Sequence, residues 1–284
     1  MKQRLALLLA ATLAFFTLSA AQAAPQRVVA LGGPLTEIVY ALGAGKLLVG
    51  ADQSSTYPEA AKALPKVGYY RAFSLEGVVA LKPDLVLASD QAGPPQAIEQ
   101  LRRLGLRVIV LPSAPTLDAL EQRMHGVAAA LGLRNDGRAM VSELRKQVDA
   151  LAAKSVGTTR ALLLINRSGN PEGAGIDTSA DAMLKLAGYR NVLATQKGYK
   201  PLSLEGIAAL KPDLIVTSTA SIAASGGLDA LLARPGIATT PAAQNRRVIV
   251  MDDLLLLGYG PRLPQALREL KASPSQIKAP LAKQ

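Results

Sequence analysis

The sequence predicts an α/β protein of two lobes, each with a parallel-type sheet, joined by one long α-helix. Apolar strand-like runs alternate with amphipathic helical segments along the chain, a pattern typical of parallel sheets covered by helices. The segment at residues 73–89 returns at residues 202–218 with eleven identities in seventeen positions. Because the period is far longer than that of a solenoid, the repeat indicates a duplicated lobe and not an array.

The first lobe begins with the strand "RVVAL", which ends at Gly32-Gly33-Pro34. The amphipathic helix "LTEIVYALGAG" follows and stops at Gly43, and "KLLVGA" is the next strand. After the first copy of the repeat come the strand "PDLVLAS", the helix "PPQAIEQLRRLG" and the strand "RVIVLP". Right-handed crossovers between such strands predict a parallel sheet with helices on both faces.

The second lobe repeats this alternation with "RALLLIN", "TSADAMLKLAG", "PDLIVTS" and "RRVIVMD". Between the lobes, capping residues, apolar positions near helical spacing and a final glycine predict one helix. We therefore expect an N-terminal lobe at residues 24–134, a connecting helix at residues 135–157 and a C-terminal lobe at residues 158–284. No linker rich in Pro, Gly or Ser separates them, so we expect the lobes to be coupled stiffly.

Residues 1–23 have the pattern of a secretory signal peptide. Lys2 and Arg4 precede an apolar run that is too short for a stop-transfer span, and Ala21-Gln22-Ala23 offers small residues for cleavage. The chain has no cysteine, so neither a lipid anchor nor a disulfide framework is expected. These features predict an exported protein of the bacterial periplasm without stable membrane insertion.

The composition argues against nucleic-acid binding and against catalysis. The net charge is +11, but an exported protein does not meet nucleic acid, and the basic clusters lack interleaved aromatic residues. The single histidine, His125, lies in a predicted helix, where we expect a structural role. Ser-His-Asp, Cys-His and zinc sites therefore lack parts. The sequence favours a binding protein, and an extracytoplasmic enzyme that uses Asp and Glu is the alternative.

Both copies of the repeat contain Ser-Leu-Glu-Gly, which has two interpretations. Ser74 is a good helix N-cap, and Glu76 falls in the first turn, where its charge meets the positive end of the helix. Helix capping alone explains the motif in both lobes. Alternatively, Glu76 and Glu205 are exposed carboxylates on two lobe tips, which would engage arginines of a two-fold partner such as a dimeric membrane permease.

Tyr69, Tyr70 and Arg71 distinguish the first copy from the second, which has Tyr199-Lys200-Pro201 in this region. They precede a helix start, so we expect them in a loop at the edge of the sheet where α/β lobes bind ligands. A tyrosine phenolate suits ferric iron and can be an axial ligand of haem. Free tyrosine has a pKa of about 10, so the metal and Arg71 would have to stabilise the phenolate. Packing of both tyrosines as interface or core aromatics is the other interpretation, and composition leaves the two open.

Three segments, "ALPKVGYYRAFSLEGVVALKPDLVLAS", "LTEIVYALGAGKLLVGAD" and "LLLLGYGPRLPQAL", resemble the periplasmic haem-binding proteins of bacterial haem ABC importers. The repeated "LEGxxALKPDL" is shared with cobalamin and ferric-siderophore binding proteins, whereas "GYxR" is specific to haem. The resemblance covers essentially the whole mature chain. It implies a monomeric class III periplasmic binding protein that carries ferric haem b to a dimeric inner-membrane ABC permease with its ATPase. Cobalamin or a ferric siderophore is the alternative ligand.

The resemblance also implies roles for individual residues. Tyr69 matches the axial iron ligand of the family, and Arg71 matches the arginine that supports this tyrosine. Tyr70 is the competing candidate for the iron ligand. Glu76 and Glu205 match the glutamates with which similar binding proteins dock onto the permease.

Two arginines are candidate contacts for the haem propionates. Arg262 belongs to "GYGPR", a family-like segment of the second lobe. Some relatives have a histidine after the first strand of this lobe, but here Asn166 and Arg167 occupy the region. The resemblance therefore implies five-coordinate ferric haem bound by Tyr69, with Arg167 facing a propionate. Either one haem or a stacked pair is compatible with these residues.

Overall fold

Two sheets form the centres of two lobes in the computed structural model of the protein. The structure describes residues 24–153, 155, 157–166 and 170–272. The predicted signal peptide and the candidate propionate contact Arg167 lie outside the described residues. Strands and helices alternate as the sequence predicts, which confirms the α/β class. Within the described ranges, no helix combines the length and the apolar character that a membrane span requires.

The first lobe has a fully parallel four-stranded sheet and a separate hairpin. Its strands are β1 (Val28–Leu31), β2 (Leu48–Ala51), β3 (Gly68–Tyr69), β4 (Ala72–Phe73), β5 (Leu85–Ser89) and β6 (Arg107–Leu111). Its helices are α1 (Gly33–Ala41), α2 (Glu59–Lys62), α3 (Leu75–Ala80), α4 (Pro95–Arg103) and α5 (Leu117–Ala130), with a short 3₁₀ turn at Gly45–Leu47. The sheet order is β2-β1-β5-β6, and β3 pairs antiparallel with β4. The strands and helices that the sequence predicts in this lobe are all present.

One long helix, α6 (Arg134–Leu151), joins the lobes. It begins within one residue of the predicted start but ends before the predicted end at residue 157. The backbone becomes extended at Ala152, with φ −61° and ψ 140°. The Gly157 N–H then donates to the Gly188 carbonyl oxygen of the second lobe over 2.7 Å. The helix is therefore shorter than predicted because the chain already pairs with the second lobe beyond Leu151.

The second lobe has a mixed sheet. Its strands are β7 (Arg160–Asn166), β8 (Pro171–Ala174), β9 (Arg190–Asn191), β10 (Tyr199–Pro201), β11 (Leu214–Ser218) and β12 (Val248–Met251). Its helices are α7 (Ser179–Ala187), α8 (Leu204–Leu210), α9 (Thr219–Ala224), α10 (Leu228–Leu232), α11 (Pro241–Gln244), α12 (Asp253–Leu257) and α13 (Leu263–Lys271). The order is β10-β8-β7-β11-β12, with β9 beside β7. β8 pairs antiparallel with both β7 and β10, so this sheet is not purely parallel.

A single apolar core runs through both lobes. It contains side chains from β1, β5, α1 and α5 of the first lobe, from α6, and from β7, α7 and α13 of the second lobe. α13 packs against both α6 and α7. The opposite face of each sheet has its own smaller cluster. Because a close-packed core spans both lobes, moving one lobe against the other would disrupt it. The shared core fits the stiff coupling that the sequence predicts.

The Lys-Pro-Asp part of the repeat forms the same clamp in each lobe. The Asp84 carboxylate accepts a hydrogen bond from the Arg27 backbone N–H at 3.2 Å, and the Arg27 side chain donates to carbonyl groups at the end of α3. In the second lobe, Asp213 accepts from the Arg160 N–H at 3.0 Å, and Arg160 donates to the end of α8. Each clamp ties a helix end to the first strand of its sheet. This part of the repeat is therefore structural.

Segment 258–262 of the second lobe packs on α1 of the first lobe through an ion pair. Arg262 donates two hydrogen bonds to Glu37, one of them from Nε to Oε1 over 2.8 Å. The Arg262 guanidinium also lies over the Tyr57 ring, 3.7 Å from its centroid. At Gly260, an added Cβ would lie 2.7 Å from Glu37 Oε2. A side chain at position 260 would therefore displace the Glu37 carboxylate. We call Glu37 and Arg262 the inter-lobe ion pair.

Asp52 organises the loops at the carboxyl end of the first sheet. It follows β2 directly and is fully buried. Its carboxylate accepts hydrogen bonds from the backbone N–H groups of Gly32, Ser54 and Tyr70 at 2.9, 2.9 and 3.3 Å. The hydroxyls of Ser54 and Ser55 donate to it at 2.6 and 2.9 Å. One buried carboxylate therefore fixes the ends of β1 and β2 and the hairpin that contains the tyrosines.

The inter-lobe ion pair predicts a specific dependence of stability on pH. Burial raises the pKa of Glu37 from 4.5 to about 7, although Arg262 acts to lower it. The folded protein therefore holds this proton more tightly than the unfolded chain, and this group's contribution to the free energy of unfolding falls as pH rises from 4.5 to about 7. Relative to Glu37→Gln, wild type should lose up to about 3 kcal/mol between pH 5 and 8 in urea unfolding.

Glu59→Gln is the matched control for this experiment, because Glu59 is an exposed carboxylate of the same lobe that pairs with Lys62 on α2. Its stability profile should run parallel to that of wild type. A Glu37→Gln profile that is also parallel to wild type would show that Glu37 does not titrate in this range.

Asp52→Ala should be strongly destabilising, because it leaves five donor groups without their acceptor. We expect the free energy of unfolding to fall by about 3 kcal/mol or more. Asp229→Ala is the control, since Asp229 is a surface residue whose side chain is 84% exposed in its pair with Arg246, and its loss should cost less than about 1 kcal/mol. Equal midpoints for the two variants in chemical denaturation would contradict the organising role of Asp52.

Candidate functional site

A cleft of about 850 Å³ lies between the lobes. The first lobe lines it with residues that follow β1, β2 and β6 and with the end of β5, and the second lobe with the end of β7, the first residue of β10 and the start of α12. The carboxyl ends of the parallel strands β1, β2, β5, β6 and β7 thus face the cleft, where open α/β sheets bind ligands. Its volume is within the range of small-molecule sites. Apolar contributions come from Pro34, Leu35, Ile165, Leu254 and Leu257.

The tyrosine hairpin, residues 68–73, lies at the edge of the cleft on the first lobe. Gly68 has φ +95°, a conformation that favours glycine, and an added Cβ would meet the Ala72 carbonyl oxygen at 3.2 Å. Tyr69 is 38% exposed and lines the cleft. The Tyr70 ring packs against the apolar cluster on the far face of the first sheet and makes an edge contact with the Tyr69 ring, with centroids 4.7 Å apart. Tyr70 and Arg71 line the cleft as well, so the hairpin presents all three side chains to it, and Tyr70 also anchors the hairpin.

Arg71 contacts the hydroxyl group of Tyr70. Its Nε donates to the Tyr70 hydroxyl oxygen over 2.9 Å, and its Nη2 donates to the side-chain oxygen of Gln91. Arg71 also interacts electrostatically with Tyr69. Burial raises the pKa of Tyr70, and the hydrogen bond from Arg71 opposes this shift. Tyr70 is thus a protonated phenol at neutral pH. Arg71 interacts with both phenols, and Tyr69 is the more exposed of the two.

The second lobe contributes a tyrosine that the sequence analysis did not assign to the site. Tyr199 on β10 is 39% exposed and lines the cleft on the opposite side from the tyrosine hairpin. Glu172, Asp177 and Thr178 line the cleft near it. The position of Tyr199 in the second copy of the repeat was the signal that could have identified it.

Arg123 is a further cleft residue that the sequence analysis missed. It lies on α5, is only 3% exposed and lines the cleft. Its Nη2 donates to the Tyr259 carbonyl oxygen over 2.6 Å, whereas its Nε has no hydrogen-bond partner. Burial lowers the pKa of Arg123 to about 10, so it remains charged at neutral pH. Its position beside Leu120 and Met124, on the core face of the helix, was the signal in the sequence.

The structure places the other predicted ligand contacts away from the cleft lining or outside the described residues. Arg262 belongs to the inter-lobe ion pair and its side chain is 14% exposed. Asn166, at the end of β7, is buried, and its side chain donates to the Ser225 hydroxyl. Arg167 lies outside the described residues. The structure therefore brings Tyr69, Tyr70 and Arg71 together and does not bring Arg262 to them.

Glu76 and Glu205 are exposed in the first turns of α3 and α8. Ser74 and Ser203 cap these helices, each accepting from the backbone N–H three residues later, at 2.9 and 3.0 Å. The capping interpretation of Ser-Leu-Glu-Gly is thus confirmed in both lobes. The helix caps are formed by the serines and not by the glutamates, whose carboxylates are exposed. Docking through these carboxylates stays a prediction.

The described residues provide binding groups and no assembled catalytic set. His125 is exposed on α5 and does not line the cleft. Within the described ranges, no three His, Cys, Asp or Glu side chains are close enough to hold a metal ion. The cleft instead combines apolar surface, tyrosines, the cations Arg71 and Arg123, and the carboxylates Glu172, Asp177 and Asp253. Such a lining suits a largely apolar ligand that carries charged groups.

Two solved structures that are similar to this chain are periplasmic heme-binding proteins. The apo form of the periplasmic heme-binding protein RhuT from Roseiflexus sp. RS-1 is 40% identical with a TM-score of 0.82, over 87% of this chain and 96% of that one. The periplasmic heme-binding protein BhuT in complex with two hemes is 42% identical with a TM-score of 0.80, over 86% and 97%.

Sequence comparison identifies the same group of proteins. The uncharacterized ABC transporter substrate-binding lipoprotein YvrC of Bacillus subtilis is 31% identical over 88% of this chain and 80% of that protein. The vitamin B12-binding protein of Vibrio parahaemolyticus is 28% identical over 75% of this chain and 78% of that protein. Residues 28–255 match the family described as periplasmic binding protein. The chain therefore belongs to the periplasmic binding protein family.

Proposed function

We propose that this protein binds haem in the cleft between its lobes and delivers it to an ABC permease of the inner membrane. The observation that carries this proposal is the exposed Tyr69 phenol at the edge of a cleft of about 850 Å³. Similarity supports it, because heme-binding proteins of known structure are 40% and 42% identical over nearly their whole length. The family and the fold are those of substrate-binding transport proteins, and we propose no covalent chemistry for this chain.

Tyr69 is the proposed axial ligand of ferric haem b. A phenolate oxygen is a hard anionic donor, which suits trivalent iron. Tyr69 is exposed to the cleft, whereas the Tyr70 hydroxyl accepts a hydrogen bond from Arg71. Arg71 interacts electrostatically with both tyrosines, so its cation lies beside the proposed iron ligand. Tyr70 is then a positioning residue that holds Arg71 and supports the hairpin.

Arg167 and Arg262 remain predicted propionate contacts on sequence grounds alone. Arg262 would have to leave Glu37 and the Tyr57 ring to reach a ligand. For the same reason we assign Arg262 a structural role first.

Cobalamin is the second candidate ligand. Vitamin B12-binding proteins are 28% identical to this chain over three quarters of its length, so the shared architecture alone does not select haem. The tyrosine hairpin favours haem, because a cobalamin carrier has no need of a phenol directed at a metal. Under the cobalamin alternative, Tyr69 would be a packing residue.

Glu76 and Glu205 are the proposed contacts with the permease. Both are exposed in the first turn of a capped helix, in equivalent positions of the duplicated lobes. Two equivalent carboxylates match a partner with two-fold symmetry that presents arginines. We further propose that the protein acts as a monomer in the periplasm after export through the signal peptide at residues 1–23.

A hemin titration followed by visible absorption tests the ligand and the iron-binding residue together. We expect a phenolate-to-iron band in wild type and in Tyr70→Phe, and its loss in Tyr69→Phe. The Tyr69→Phe variant should also bind hemin more weakly by about tenfold or more, because an iron ligand is lost. Loss of the band in Tyr70→Phe alone would move the ligand by one residue. Binding of cyanocobalamin without any spectral response to hemin would select the second candidate.

Charge reversal tests the permease contacts. Glu76→Lys and Glu205→Lys should leave the hemin titration unchanged but weaken binding to the permease in nanodiscs by about tenfold or more each. Glu143→Lys is the control, because Glu143 is an exposed carboxylate on α6, away from both lobe tips. Permease affinities that are equal for all three variants would contradict docking through Glu76 and Glu205.

A further inference from the structure

Arg123 is a buried cation at the wall of the cleft that lacks a matching anion. It is 3% exposed, yet it is among the residues that line the cleft. Among the residues that the structure describes, no carboxylate lies within 4 Å of its guanidinium. Asp90 acts on it only as a longer-range charge. A guanidinium in such an environment is costly unless a counter-ion reaches it.

The hydrogen bonds of Arg123 leave part of its donor capacity unused. A guanidinium has five N–H donors. One nitrogen, Nη2, donates to the Tyr259 carbonyl oxygen of the second lobe, and Nε has no partner. A neutral donor would be enough for the hydrogen bond to the Tyr259 carbonyl oxygen. This contact therefore does not explain why a charged side chain occupies the position.

The second arginine that connects the lobes provides a contrast. Arg262 has Glu37 as a carboxylate partner and the Tyr57 ring against its guanidinium face. A second carboxylate, that of Asp252, lies 3.6 Å from the same guanidinium, so Arg262 has acidic partners within the protein. Arg123 has no such partner in the described residues, and unlike Arg262 it lines the cleft. The difference indicates that the anion for Arg123 comes from the ligand.

We propose that Arg123 binds a carboxylate group of the transported ligand, which is a propionate if that ligand is haem. The inference rests on the proposed function and adds a residue that recognises the ligand's charge. A carboxylate matches the planar fork of arginine and can accept two hydrogen bonds from it. Such a pair is strong in a buried wall because water does not compete for it.

The first lobe would then make two separate contacts with the ligand. Tyr69 on the hairpin would bind the metal, and Arg123 on α5 would bind a peripheral carboxylate. Ser113 and Pro115, in the segment that leads into α5, line the cleft as well. Two contacts of different chemistry fix the orientation of a flat ligand in a way that one axial bond does not.

Hemin and hemin dimethyl ester distinguish this role from a structural one, because the ester keeps the iron and the ring but has no carboxylates. Wild type should bind hemin more tightly than the ester by tenfold or more. Arg123→Gln should lose most of this preference by weakening hemin binding while leaving ester binding unchanged. Arg103→Gln, at an exposed position on α4, should retain the full preference. Circular dichroism and thermal unfolding check that each variant is folded.

Three other results would contradict the role of Arg123 or the proposed function. Equal loss of affinity for both ligands in Arg123→Gln, or an unchanged preference for hemin, would overturn the role of Arg123 while the proposed function stands. No response of wild type to either ligand would overturn the proposed function and this inference with it. If Arg123→Gln does not fold, Arg123→Lys replaces it. Lysine keeps the charge but not the fork, so a reduced preference supports the proposal and a full preference contradicts it.

Discussion

The apolar core shared by the two lobes is the constraint on which the rest of the structure depends. Side chains of α1 and α5 from one lobe and of α7 and α13 from the other meet α6 in one close-packed cluster. The inter-lobe ion pair and the bond from Arg123 to the Tyr259 carbonyl add polar contacts across the same boundary. Together they hold the carboxyl ends of two sheets face to face, and the cleft is the space that this arrangement leaves.

The two lobes share structural contacts and differ in the residues that line the cleft. Features present in both lobes, namely the serine caps and the clamps formed by Asp84 and Asp213, stabilise helix ends and strand starts. The features that equip the cleft occur in the first lobe: the tyrosine hairpin, the Asp52 network that holds it and the buried Arg123. A duplicated scaffold therefore carries an asymmetric site, with chemistry concentrated on one wall and mainly shape and additional polar groups on the other.

The sequence predicted the elements that have a strong local pattern and missed those that depend on tertiary contacts. Apolar runs such as β5 and β11 and the capped helices were predictable, because burial and capping leave a local signature. β8 and β10 are short and contain proline or glycine, and they exist only because they pair with β7 and with each other. Tyr69 was predicted from its motif, whereas the roles of Asp52 and Arg123 depend on hydrogen-bond partners that only the folded chain brings to them. The contact of Arg262 with Glu37 could not be predicted, because the two residues lie 225 positions apart and nothing in the local sequence links them.

The shared core constrains the proposed docking onto a permease. If the two lobes cannot swing apart, Glu76 and Glu205 keep one fixed separation in the empty and in the loaded carrier. A transporter that recognised only the spacing of these two carboxylates would bind both forms equally. Empty carriers would then compete with loaded carriers for binding. A preference for the loaded carrier would then have to arise at the opening of the cleft, between Glu76 and Glu205. There the bound ligand itself forms part of the surface that the transporter contacts.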